Sequence, residues 1–483
     1  MAVAVEDSPW FRERRAKGEI ISAADSRLDT PKFDLESYIS NYEGRTRLHR
    51  LLHIAQHCPP LSLEALHLAI PEAKNDMNTT AYNLLVTLYH VINPESQHGV
   101  PDVEWIERVN KSMERESDRL ESELRGYKNN LIKESIRMGH EDLATHQYHN
   151  SQLEAAGKSL SKMREYCTTP MNIASMTLKQ VVVAIAQSLY HQALTYLQKV
   201  RVMSLKPDDK ARVDPIVEAC SGLAHLCCGQ YKEAAAAFCA VDPSFMSNGP
   251  VAGINFAKEV LTGNDIAVYG GLCALASLNR HELTSKVLEN ANFRSFLELE
   301  PHIRRAINAF CGGKYSACLG ALESYRADYL LDVYLSSSVA DLYSRIRTKS
   351  IVAYFLPYSC VQLSSLAAAF PAPHSAAADT PHDADDAADA DEDTDAMESE
   401  LTAMIQSGAL RARIDTVSRL LVAPQQDMRG RTHGEAIDTA AELEATLRLK
   451  LHKINMVQAG LVVEPPLPKA KTGKVWGGGA GAF

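Results

Sequence analysis

The chain has 483 residues and a mass of 53.1 kDa, with 50 Lys and Arg against 60 Asp and Glu, a formal charge of −10. Hydrophobic residues at 46% and charged residues at 23% give a globular composition, enough for about three domains or one extended array. The acidic balance argues against a protein that coats nucleic acid, and no apolar run reaches the ~18 residues of a membrane span.

The excess charge has an address. Residues 371–400 hold eleven acids, no Lys or Arg occurs between Lys349 and Arg411, and without those acids 49 remain against 50 bases. The rest of the chain is nearly neutral. The ten Cys form no Cys-x-x-Cys pair, and Cys220, Cys273 and Cys318 sit in apolar helical text. They read as buried, reduced thiols of a cytosolic or nuclear protein.

In chain order, residues 1–30 read as a flexible arm. Its Arg12, Arg14, Arg15 and Lys17 follow a Trp-Phe pair, not a signal-peptide core. The first helices are expected around Phe33, Leu35, Tyr38, Ile39 and Tyr42, then Leu48, Leu51, Leu52 and Ala55, ending near Cys58-Pro59-Pro60. Trp105, Val109, Met113, Leu120, Leu124, Leu131 and Ile132 form an intermittent apolar stripe that predicts one long helix from Asp102 to Arg137.

A repeat follows, with small or apolar residues at +3, +7 and +10 from an aromatic or Leu. Four copies fit: Leu153/Ala156/Leu160/Met163, Tyr190/Ala193/Leu197/Val200, Tyr231/Ala234/Phe238/Val241 and Tyr315/Cys318/Leu322/Tyr325. A degenerate fifth is His281/Thr284/Leu288/Ala291, giving starts 37, 41, 50 and 34 residues apart. The spacing puts these residues on one helix face, and the small +3 residue lets the preceding helix approach. This is the pattern of tetratricopeptide-like hairpins, which bury their faces by stacking into a right-handed solenoid. The Gly pairs at 270–271 and 312–313 read as close helix packing and a turn.

Helical text continues through residues 330–343, 351–356 and 361–370. An acidic, Ala-rich insertion, residues 371–397, then reads as a disordered loop. A short helix from Glu398 stops at Gly408, and strand-like runs cover residues 412–415 and 418–422. Helices followed by a ribbon outline a winged helix. A final amphipathic helix runs from Ala436 to Val457, and the Gly-rich tail, residues 465–483, reads as disordered.

Catalytic spacings are missing. A hydrolytic zinc site of the His-x-His type needs that pair plus carboxylates, yet none of the 17 His lie two apart, and no phosphate loop or nucleophile elbow occurs. His49, His53 and His57, four apart and next to Cys58, share a helix face. Without a supporting carboxylate they read as structural, with local ring–backbone hydrogen bonds, and so do His146 and His149. No catalytic residue, metal or cofactor is assigned. DNA binding is disfavoured because residues 359–370 lack Arg and Lys, while Arg411 and Arg413 read as salt-bridged residues of the wing.

Helical repeats feeding a winged helix and a terminal helix resemble the PCI-domain family, the scaffold subunits of the proteasome lid, the signalosome and a translation-initiation complex. Several words carry the resemblance. Asn264-Asp-Ile-Ala-Val-Tyr-Gly-Gly-Leu-Cys-Ala-Leu-Ala276 is similar to the segment that marks the family's signalosome branch. Phe296-Leu-Glu-Leu-Glu-Pro301, Leu330-Leu-Asp-Val-Tyr-Leu335, Ile351-Val-Ala-Tyr-Phe-Leu-Pro-Tyr358 and Gly408-Ala-Leu-Arg-Ala-Arg-Ile-Asp415 resemble its later blocks. Tyr42-Glu-Gly-Arg-Thr-Arg-Leu-His-Arg-Leu51 and His57-Cys-Pro59 match upstream.

The resemblance implies a mostly α fold: a repeat region over 31–295, a PCI domain over 296–424 interrupted by the insertion, and a C-terminal bundle helix over 431–464. It implies a non-catalytic scaffold of a complex that removes a ubiquitin-like modifier from cullins, the isopeptidase residing in another subunit. Implied partners are other PCI subunits, the metalloprotease-containing pair and cullin-RING ligases, in nucleus and cytoplasm. Assembly is expected through the wing edge, with Arg411, Arg413 and Ile414, and through Leu443, Leu447, Leu451 and Ile454 of the last helix. Competing readings are a proteasome-lid scaffold, an initiation-complex scaffold or a nucleic-acid-binding winged helix.

Overall fold

A computed structural model describes residues 10–11, 31–94, 99–371, 387–424 and 428–461. The chain divides into two compact units, residues 1–422 and 423–483, and each is described by itself.

The first unit corrects the expected free arm at one point. Phe11 is fully buried in a core that includes Leu35, Ile39, Leu51, Ile54 and Leu331, with Trp10 packed beside it. Aromatic burial pins the chain here; residues 1–9 and 12–30 lie outside the described residues. Helices α1 (Leu35–Ser40), α2 (Gly44–His57), α3 (Pro59–Asn75) and α4 (Thr79–Ile92) follow. Asp34 caps α1 by accepting from Ser37 N, and Pro59 opens α3, where its missing N–H costs nothing.

The expected long helix is two helices, α5 (Val103–Asn130) and α6 (Lys133–His149). Leu131 between them is left-handed at φ 56°. Leu120 and Leu124 are buried, but Leu131 and Ile132 are exposed and do not continue the stripe. Asn129 and Asn130, both weak helix formers, precede the break.

The array continues with α7 (Leu153–Met163), α8 (Pro170–Ala186), α9 (Tyr190–Val202), α10 (Pro207–Cys227), α11 (Tyr231–Cys239), α12 (Gly263–Ser277), α13 (Ala291–Leu297), α14 (Pro301–Cys311) and α15 (Tyr315–Glu323). Helices α7, α9, α11 and α15 start at the first residue of the four well-fitting repeats, and each packs on the helix before it. Ala156, Ala193, Ala234 and Cys318, the small +3 residues, are all buried.

A backbone device accompanies the side-chain pattern. Two residues before each start lies a left-handed residue: Ser151, Ser188, Gly229 and Gly313, at φ 61°, 60°, 74° and 76°. The next N–H reaches back over the turn, Gln152 to Gln147 O, Leu189 to Ala184 O, Gln230 to His225 O and Lys314 to Ala309 O. This closure satisfies carbonyls that the helix end leaves open. Met77, at φ 51°, makes the same turn before α4, so α3 and α4 form a further hairpin that the side-chain repeat did not reveal. The degenerate fifth copy is different. A π-helix spans Leu283–Leu288, and its buried residues are Leu283 and Val287, not His281 or Thr284.

The two Gly pairs behave as read. A Cβ on Gly271 would meet Ile303 Cγ2 at 2.3 Å, and one on Gly270 would meet the Phe293 ring at 2.8 Å. Gly271→Ala is expected to lower stability by about 1–3 kcal/mol, since a well-packed core does not absorb an extra methyl. Gly320 lies in exposed helix with nothing within 4 Å of the added atom. There the same change is expected to stabilise by about 0.5–1 kcal/mol. Urea midpoints of the two variants, moving in opposite directions, check both.

The winged helix is built from α16 (Val339–Phe355), β1 (Cys360–Gln362), α17 (Leu363–Ala369), α18 (Ala387–Gln406), β2 (Arg413–Asp415) and β3 (Leu420–Val422). The strands form an antiparallel sheet ordered β1-β3-β2, with Cys360 and Arg413 both opposite Val422. Three corrections follow. Helix α16 is continuous across residues expected as two pieces, and residues 331–338 before it are turns. Strand β1 stands where helix was expected, because three residues are too few for alternation to show. Helix α18 begins at Ala387, eleven residues early, so the second part of the expected loop is helical. Ala is the strongest helix former. Thr394, Met397, Leu401 and Met404 are buried along it. Residues 372–386 lie outside the described residues.

The second unit contains α19 (Met428–Gln458), longer than the expected span. The tail beyond residue 461 lies outside the described residues. Among the described residues, no helix is long and apolar enough to cross a membrane.

Candidate functional site

Three sequence blocks that carried the resemblance meet at one buried arginine. Arg50 of α2 has no solvent exposure. Its Nη1 donates to Asp332 Oδ2 at 2.5 Å and to the hydroxyl of Tyr38. Its Nη2 donates to Asp265 Oδ2 at 3.1 Å and to the Tyr269 hydroxyl at 3.2 Å. The guanidinium also lies 4.1 Å from the centre of the Tyr42 ring. Tyr42 donates to Asp265 Oδ1 at 2.7 Å, and Tyr269 donates to both oxygens of Asp332.

Local structure aims these groups. Asp265 closes a capping box with Thr262 at the start of α12, and Tyr269 lies one turn later on the same face. Asp332 is fixed by the N–H groups of Tyr334 and Leu335 in the turn after Leu330. One cation therefore faces two carboxylates. Burial, the largest effect on Asp265, raises its carboxyl above the usual range despite Arg50. Burial opposes ionisation of Asp332 too, but Arg50 and hydrogen bonds from Arg50, Tyr269 and Leu335 hold it below that range. Burial raises the hydroxyls of Tyr42 and Tyr269, keeping them as donors. The cluster ties the N-terminal hairpin, the middle of the array and the approach to the winged helix into one body. Arg50, Asp265, Tyr269 and Asp332 lie in the family-like blocks of the sequence, where no motif marks them as a site.

A second clamp holds the ends of the insertion. Arg347 of α16 donates to both oxygens of Glu400 at 2.9 and 3.1 Å, and to the carbonyls of Phe370 and Pro371. One guanidinium thus fixes α17 and α18 on either side of the acidic residues.

The histidine row carries no metal arrangement. His57 donates its Nδ1–H to His53 O at 2.9 Å, and His53 Nε2 lies 3.4 Å from Leu330 O. Burial, with His57 beside it, pushes His53 down to about 4. No cluster of three or more His, Cys, Asp or Glu side chains among the described residues could hold a metal.

The expected assembly residues fall in two places. Arg413 and Ile414 lie in β2, one edge of the sheet, and Arg411 just precedes it. Leu421 of the central strand is fully buried and Ile414, opposite it, is half-buried, while Arg411 and Arg413 are exposed. Neither Arg makes an ion pair among the described residues, which corrects the salt-bridged reading. The helix before the ribbon is α18, not residues 359–370; it too lacks Arg and Lys and is strongly acidic, a poor surface for phosphate. Leu443, Leu447, Leu451 and Ile454 belong to the second unit and are 60%, 55%, 62% and 54% exposed on α19.

Residues 102–286 match the family described as 26S proteasome subunit RPN7, and residues 322–425 match the PCI domain. The COP9 signalosome complex subunit 1 of Emericella nidulans is 44% identical over 441 residues, covering 90% of this chain and 84% of the relative. Those of Neurospora crassa and Arabidopsis thaliana are 37% and 35% identical, covering 87% and 88% of this chain and 90% of each relative. A match of this identity running through the array, the Arg50 cluster and the winged helix settles the kinship: the chain belongs to the COP9 signalosome complex subunit 1 family.

Proposed function

We propose that the chain is a non-catalytic scaffold subunit of a signalosome, whose assembled complex removes a ubiquitin-like modifier from cullins and so regulates cullin-RING ligases. The observation that carries this reading is the near full-length likeness to relatives named as subunits of that complex. The missing His-x-His spacing supports placing the isopeptidase in another subunit. The β2 edge offers unpaired backbone groups for strand addition by a neighbouring PCI subunit. The apolar face of α19 offers a surface for a helical bundle. Cullin-RING ligases and the metalloprotease-containing pair are the further partners, in nucleus and cytoplasm.

A proteasome-lid role is the second reading, favoured by the description that residues 102–286 match. Affinity purification of the tagged chain separates the two. Other signalosome subunits, including a metalloprotease, are expected to co-elute; recovery of proteasome ATPases in their place sinks the proposal.

A further inference from the structure

Against the Arg50 cluster lies a cavity of about 260 Å³, lined on one side by the cluster's Tyr42, Asp265 and Asp332 and elsewhere by Phe33, Glu300, Tyr325 and Asp328. Its walls are aromatic. Phe33, Tyr38 and Tyr42 stand in a row with ring centres 4.7 and 5.3 Å apart. On another wall, Tyr325 stacks on His302 at 4.0 Å, and His302 Nε2 lies in hydrogen-bond contact with the Tyr329 hydroxyl at 2.8 Å.

Its charge is unbalanced. Asp265 and Asp332 share the single positive charge of Arg50. Among the described residues, neither Glu300 nor Asp328 pairs with an Arg or Lys side chain; the ion-pair contact of Glu300 is with His302. Glu300 accepts from Asn264 at 2.9 Å and lies 3.2 Å from His302 Nδ1. Asp328 accepts from the backbone N–H of Lys32 at 3.0 Å, and burial raises its carboxyl above the usual range. The Lys32 ammonium lies over the Tyr325 ring at 4.9 Å, and its charge also favours the ionised form of Asp328. Both walls thus already accept a cation, Lys32 on one and Arg50 on the other.

We propose that this cavity binds a guanidinium group, the side chain of an arginine, between the Phe33–Tyr38–Tyr42 wall and Tyr325, with Asp328 and Glu300 as counter-charges. A flat, weakly hydrated cation suits ring faces and can meet a carboxylate with two parallel hydrogen bonds. A divalent metal would need a shell of oxygens that these rings do not supply. The volume is small for a nucleotide-sized ligand. Two sources share this chemistry: an arginine of a partner chain, or Arg12, Arg14 or Arg15 of this chain, which follow directly on Phe11.

The test is calorimetric titration of the full chain with N-acetyl-L-arginine amide, its citrulline counterpart serving as the neutral control. It is run on the wild type and on Arg12→Gln/Arg14→Gln/Arg15→Gln. Saturable binding at least about tenfold tighter than the citrulline control is expected. If it occurs in both proteins, the arginine comes from a partner; if only in the triple variant, this chain supplies it. Either result is expected to vanish in Asp328→Asn and weaken at least about tenfold in Tyr325→Leu, with thermal midpoints kept. No binding in either protein, or binding that survives both substitutions, overturns the proposal.

Discussion

Arg50→Met is expected to destabilise the chain by about 3–5 kcal/mol, a large part of the roughly 5–15 kcal/mol that holds a domain folded. The reason is the two carboxylates left behind, not the lost packing. Methionine fills much of the arginine's volume but leaves Asp265 and Asp332 facing each other in a largely buried site. The loss should also depend on pH. In the wild type the Asp332 carboxyl is held below its unfolded range, so its contribution is present above that range and is lost as the pH falls through the folded value. Without the guanidinium both carboxyls are raised, and groups raised in the folded state favour folding at low pH and oppose it as the pH rises. The gap between wild type and variant therefore narrows from pH 7 toward pH 4. Removing the charges as well, in Arg50→Met/Asp265→Asn/Asp332→Asn, should recover part of the loss. Urea unfolding at several pH values measures all of this. A pH-independent loss under about 1 kcal/mol would show that the cluster is not a fastening.

The sequence carried the array because its period is written in side chains. Ala156, Ala193, Ala234 and Cys318 are small where a neighbouring helix presses in, and that requirement survives reading one chain alone. It did not carry Ser151, Ser188 or Met77 as turn residues, since nothing in a Ser or Met announces a left-handed backbone as Gly does. The fifth copy failed for a related reason. A π-helix shifts which residues face inward, and a template with fixed offsets cannot follow it. The acidic stretch misled in the other direction. Its composition reads as a solvated loop, yet Met397, Leu401 and Met404 give residues from Ala387 onward a buried face to fold against. The Arg50 cluster was present in the quoted words but unreadable as a site. Its members lie 215 and 282 residues apart, and only tertiary structure shows that Asp265 and Asp332 share one cation.

Leu447→Asp with Leu451→Asp is expected to abolish incorporation into the complex while leaving the isolated chain folded. The two effects separate because both side chains are already more than half exposed on α19, so an aspartate in either place unburies nothing in this chain. Intrahelical ion pairs, Arg431 with Glu435 and Arg448 with Glu444, lie along the same helix and are untouched by the change. In a helical bundle each leucine would contribute about 1.5–3 kcal/mol on burial, and a buried carboxylate adds a penalty of its own. Together the pair should weaken association by more than about a hundredfold. Leu447→Met with Leu451→Met, which keeps volume and apolarity, should assemble almost normally. Far-UV circular dichroism and thermal midpoints of the free chain report folding, and co-purification with the other subunits reports assembly. If the aspartate variant enters the complex at wild-type levels, α19 is not the fastening element, and the β2 edge with Arg411, Arg413 and Ile414 must carry assembly by itself.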